Sequence, residues 1–255
     1  MARGRVQVSL GLFDRPLFEG SLVVAEPYVM QHGMPVARMD VDTRATFIAR
    51  TYQHLLGAIC GFVLIELFLF SSGAAEVITQ AVMSVSWLLV LGAFMVASWL
   101  ASRVAFSASS LSSQYMALAG FVVAEALIFV PLLYMAEAYA EGAIGSAAMV
   151  TLLGFGALTL VAFTTRKDFS FLRGILMWGG VLAVVLIVAG VIFGFQLGTF
   201  FSVAMVAFAG AAILYDTSNV LHHFPEDRYV GAALQLFASV ALMFWYVLRL
   251  FMSRD

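Results

Sequence analysis

The chain has 255 residues, of which 63% are hydrophobic and 11% charged, with a mean hydropathy of +1.00 and a formal net charge of -2. Ordinary soluble domains are about 45–50% apolar and about 25% charged, so this composition excludes a soluble enzyme and demands that lipid cover the surplus apolar surface. No basic stripe offers a nucleic-acid footprint, and the single cysteine, Cys60, excludes an intrachain disulfide or a thiolate metal cage and reads as a small packing residue.

Residues 1–50 carry Pro16, Pro27 and Pro35 among mixed charges and have no apolar core, so they read as neither a signal peptide nor a span but as a flexible cytoplasmic tail. The remainder, residues 51–255, reads as spans. The first runs from Tyr52 to Phe70, interrupted by His54 and Glu66. The 26 uncharged residues between Glu76 and Arg103 supply a second, and Tyr115–Met135 a third, broken only by Glu125. The 24 uncharged residues between Glu141 and Arg166 supply a fourth. Each reaches the roughly 20 residues that cross a hydrocarbon core. From Gly174 to Tyr215 there are 42 uncharged residues, too many for one crossing, and Gly194, Gln196 and Gly198 place a turn that divides them into the fifth and sixth spans. The 20 residues between Arg228 and Arg249 make the seventh. The expected fold class is an all-α integral membrane protein.

Basic residues fix the expected orientation. Arg38, Arg44, Arg50, Arg103, Arg166, Lys167, Arg173 and Arg228 all fall in alternate connections, whereas the others hold only Glu76, Glu137 and Glu141. The positive-inside rule then puts the N-terminus in the cytoplasm. Seven crossings leave Arg249 and Arg254 outside, against that rule, so a re-entrant seventh segment stays open as the alternative.

Charged groups within spans cost roughly 2.5–3.5 kcal/mol each on insertion scales, which makes them the informative residues. Glu125 lies midway along the third span, six residues before Pro131, which cannot donate to the carbonyl of Leu127. It reads either as the lining of a polar cavity or as a helix-packing carboxyl group. Asp216 closes the long apolar run within Ile213-Leu214-Tyr215-Asp216-Thr217-Ser218-Asn219, either as a buried functional carboxyl or as part of a polar cluster at the helix end. Glu66 and Asn219 are secondary candidates, and Glu66, in the outer third of its span, is expected to snorkel to the surface. His222 and His223 are adjacent, about 100° apart around a helix, and suit a solvated loop better than a metal site. The string from Thr164 to Asp168 is accounted for by topology. HExxH, GxSxG and Walker A patterns are absent, so neither an enzymatic role nor a cofactor is expected.

Thr164-Thr165-Arg166-Lys167-Asp168-Phe169-Ser170-Phe171-Leu172, then Ala212-Ile213-Leu214-Tyr215-Asp216-Thr217-Ser218-Asn219-Val220, and the terminal Ser253-Arg254-Asp255 carry a family resemblance. The chain resembles the Bax inhibitor (transmembrane Bax-inhibitor-motif) family over residues 50–255, most strongly from residue 164, and within it the bacterial YccA-like branch. That resemblance implies a seven-helix bundle with six helices around a central one. In some members two aspartates, on the sixth and seventh spans, share a proton and brace the closed state of a pH-sensitive calcium leak. Asp216 matches the first, but Ser239 stands where the second belongs. A hydroxyl can make one hydrogen bond to Asp216 yet cannot share an acidic proton. The branch implies another role, binding to and restraint of the FtsH membrane protease in the bacterial inner membrane. Two expectations follow: an FtsH modulator, or a cation leak in which Asp216, Ser239 and Glu125 form an altered gate.

Overall fold

A computed structural model describes residues 34–107 and 110–253. Residues 1–33, which make up most of the expected tail, and the terminal Arg254-Asp255 lie outside the described residues.

The described residues form eight α-helices: α1 (Val41–Ser71), α2 (Ala74–Met83), α3 (Trp87–Ser107), α4 (Leu111–Tyr139), α5 (Ala143–Thr165), α6 (Leu172–Phe193), α7 (Gly198–His222) and α8 (Tyr229–Met252). All but α2 are long and apolar enough to cross a membrane, giving the seven spans read from the sequence. Large apolar side chains such as Trp178, Phe193 and Phe200 point outward, which suits hydrocarbon as the surrounding solvent.

Local chemistry sets the boundaries. Asp40 caps α1 by accepting from the backbone N–H of Thr43 at 2.9 Å and from its hydroxyl at 2.6 Å, and these bonds hold the Asp40 carboxyl below the usual carboxylate range. The helix therefore starts at Val41, so the tail boundary expected at residue 50 falls inside α1. Ser110 caps α4 through the N–H of Ser113. Gly194 and Gly198 adopt φ of +72° and +60°, the left-handed values that let α6 turn sharply into α7. Pro131 is accommodated inside a continuous α4.

The second span differs from expectation. It begins at Trp87, because Ala74–Met83 folds as a separate short helix that packs on α4 and α1. The uncharged run between Glu76 and Arg103 is long enough to hold both, and hydropathy alone does not place the break at Ser84-Val85-Ser86. Cys60 also departs from its reading, since it faces outward.

α8 is the central helix. It contacts α1, α3, α4, α5 and α7, while α6 packs on the outside against α7 and α3. Its 24 residues form one continuous helix, with no re-entrant break. Aromatic rings knit it to α4, where Phe129 stacks on Phe244 at 5.6 Å and meets Trp245 edge-on at 5.0 Å.

One end of the bundle gathers the basic connections. Val36, fully buried, donates its N–H to the Phe224 carbonyl at 2.9 Å, and Pro35 bridges to Pro225. Gln114 Nε2 donates to the Asp227 carbonyl at 3.0 Å, and Arg228 reaches the Ala105 carbonyl at 3.4 Å. The segment before α1 and the loop between α7 and α8 thus lie together, as the alternation of basic residues requires. We call this the basic end.

Candidate functional site: a buried carboxyl group facing the central helix

Gln235 and Ser239 lie one turn apart on α8, so both project from one face of the helix, the face that meets α7. Opposite them stands Asp216 of α7, 3% exposed. Gln235 Nε2 donates to Asp216 Oδ1 and Ser239 Oγ donates to Asp216 Oδ2, each at 2.5 Å. Both carboxyl oxygens are therefore engaged by uncharged groups of the central helix. A buried charged or polar group is tolerable only with such partners, and here two side chains supply them.

The structure thus brings together Asp216 and Ser239, while Gln235 is a partner that the sequence reading missed. Its signal was present, because Gln235 and Ser239 interrupt the apolar run of α8 four residues apart, the spacing of one helix face.

Glu125 belongs elsewhere. It is buried on α4 and lines a cavity of about 940 Å³ that also touches Ser98, Gln196, Ser202, Ala238 and Arg249. Asp216 does not line this cavity, whose α8 wall is formed by Ala238, Ala241, Leu242, Trp245, Tyr246 and Arg249. Asn219, one turn beyond Asp216, serves the helix end: its carbonyl accepts the N–H groups of His223 at 2.8 Å and Phe224 at 3.1 Å. Glu66 corrects its expectation. Instead of snorkelling, it is 7% exposed with neither carboxyl oxygen hydrogen-bonded, against a second cavity.

The loop from Arg166 to Phe171 also does more than the sequence indicates. The Asp168 carboxyl meets His223 Nε2 at 3.1 Å, and Ser218 Oγ accepts the Phe169 N–H at 2.9 Å. The Ser170 N–H donates to Asp168 at 2.9 Å and, with His223, keeps that carboxyl below its ordinary range. This latch ties the α5–α6 connection to α7 at Ser218, two residues beyond Asp216, and to His223 just past the helix end. Among the described residues no group of acidic, histidine or cysteine side chains could hold a metal ion.

Seven apolar spans, one of them a buried central helix that closes over a carboxyl group, define a polytopic membrane bundle built on an intramembrane polar contact. The family described as "Inhibitor of apoptosis-promoting Bax1" matches residues 44–255, and the chain belongs to this Bax inhibitor family. It is 35% identical over 108 residues to the Escherichia coli protein named "Modulator of FtsH protease YccA", covering 41% of this chain and 49% of that one. An uncharacterized protein of Pseudomonas aeruginosa is 35% identical over 111 residues, 42% of this chain and 49% of its own. Another, from Neisseria meningitidis, is 32% identical over 126 residues, 48% and 55% respectively. The chain spans about half the length of the curated relatives it matches.

Proposed function

We propose that this chain is an inner-membrane modulator of an FtsH-type membrane protease, with its N-terminus in the cytoplasm. The observation that carries the reading is the occupancy of Asp216: its partners are Gln235 and Ser239, neither of which is a second carboxyl group. The pairing braces α7 against α8 without an acidic proton to share, which suits a stable bundle more than a proton-operated gate. The resemblance to the E. coli FtsH modulator supports the same direction.

A protease that extracts substrates from a membrane must grip a segment outside the bundle and pull against the packing within it. Here the buried central helix resists the pull, and the residues ahead of Val36 supply the grip. Removing residues 1–33 leaves the buried Val36 and the Asp40 cap in place. The truncated chain is expected to persist at least several-fold longer than the full chain in cells with active FtsH, as followed by pulse-chase. Equal lifetimes would count against the tail as handle. Orientation is tested separately with topology reporters at each end: the N-terminal fusion is expected to be active on the cytoplasmic side and the C-terminal one outside. A cytoplasmic C-terminal reporter would contradict this.

A second reading, a cation leak, rests on the cavity of about 940 Å³ that reaches Glu125. It calls for calcium flux in liposomes made from the purified protein.

A further inference from the structure

Glu66 sits in an unusual place. It lies five residues before the end of α1, roughly 7.5 Å along the axis from the helix terminus, and both carboxyl oxygens lack a hydrogen-bond partner although the residue is 7% exposed. A carboxyl group in that position costs free energy unless a donor or a cation reaches it. None comes from the walls around it. The cavity against Glu66, about 560 Å³, is lined by aliphatic, glycine and phenylalanine residues together with a second acid, Glu137, and by no basic, amide or hydroxyl side chain.

The helix arrangement explains the opening. α1 and α5 meet towards the basic end, where the Tyr52 and Phe163 rings pack edge-on at 5.8 Å. Further along they leave a gap whose floor is made by α4 and α8 through Phe129, Phe237 and Phe244. On the rim, Val63 and Leu67 of α1 and Leu152 of α5 are exposed, so the gap opens sideways to the acyl chains. Glu137, exposed near the end of α4, stands at the mouth towards the membrane surface.

We propose that this cavity binds a single-chain amphiphilic amine, its apolar body lying on the phenylalanine floor and its protonated amine meeting Glu66. Three observations fit that chemistry. The volume falls within the roughly 300–1,000 Å³ of sites for drug-sized ligands. Both polar groups of the lining are acids, so an anionic head is disfavoured. The aromatic floor is also attractive to a cation near its faces. Entry from the lipid side lets Glu137 draw the amine to the mouth before it descends to Glu66. The same head chemistry occurs in a free alkylamine and in a single-chain ethanolamine lysolipid.

The test uses the full chain in phosphatidylcholine nanodiscs and a dodecylamine carrying a diazirine, with the matching diazirine dodecanol as the uncharged probe. The amine is expected to label α1 and α5 saturably, and Glu66→Gln to reduce that labelling at least tenfold at a fixed sub-saturating concentration while leaving labelling by the alcohol unchanged. Ala148→Phe, which fills the cavity from α5 without touching Glu66, should block the amine as well and keeps the test decisive if Glu66→Gln does not assemble. Adding lysophosphatidylethanolamine to the discs separates the two sources: lower amine labelling identifies the lysolipid head as the occupant, and unchanged labelling identifies the free amine. Equal labelling by amine and alcohol, or an amine signal insensitive to both substitutions, would overturn the proposal.

Discussion

Replacing Asp216 with alanine is expected to be among the most destabilising single changes in the bundle, by about 3 kcal/mol, because it strands two donors that face a buried carboxyl group. Gln235 Nε2 and Ser239 Oγ would each lose their acceptor at the α7–α8 contact, and an unsatisfied buried polar group costs roughly 1–3 kcal/mol. Asp216→Asn behaves differently. Its amide keeps one acceptor oxygen, and its new N–H can be received by the Gln235 carbonyl oxygen after the Gln235 amide turns over, so the cost should stay below about 1 kcal/mol. Thermal unfolding in detergent separates the two: a clear drop in Tm for alanine and a near-native value for asparagine. Equal losses would mean that the charge of Asp216, rather than its hydrogen bonds, holds α7 to α8.

The second large effect is a gain. Ser239→Asp places a carboxyl group where Ser239 Oγ now touches Asp216 Oδ2. Two carboxyl groups so close cannot readily both be ionised, so they bind a proton between them and the contact between α7 and α8 becomes dependent on pH. The native protein is expected to show little change in calcium flux between pH 6 and 8 in liposomes, and Ser239→Asp a several-fold change over the same range. A native protein whose flux already varies steeply with pH, and loses that variation in Asp216→Asn, would make the leak the leading function.

How much of this was legible in the sequence depends on the kind of physics involved. The spans were legible because crossing hydrocarbon imposes a length, and uncharged runs display it. The turn at Gly194–Gly198 was legible because left-handed backbone favours glycine. α2 was not, since an uncharged run says nothing about where a short helix ends and a span begins. At the site, Asp216 stood out as a charge within an apolar run, and its partnership with Ser239 followed from the family resemblance. Gln235 required asking which polar residues share a face of α8, a question that periodicity can answer. Glu66 was misplaced for a different reason: snorkelling depends on what surrounds the outer part of α1, and the gap between α1 and α5 is a property of packing. The Asp168–His223 latch joins residues 55 apart, and such a contact between loops leaves no local pattern to read.

The most direct measurement is purification of the full chain from its native membranes under mild detergent, with mass spectrometry of the proteins that come with it and calcium flux measured on the same preparation. The account predicts that an FtsH-type protease co-purifies, that Asp216→Asn retains it, and that flux is low and flat across pH 6 to 8. Absence of the protease together with a strong calcium leak abolished by Asp216→Asn would contradict it.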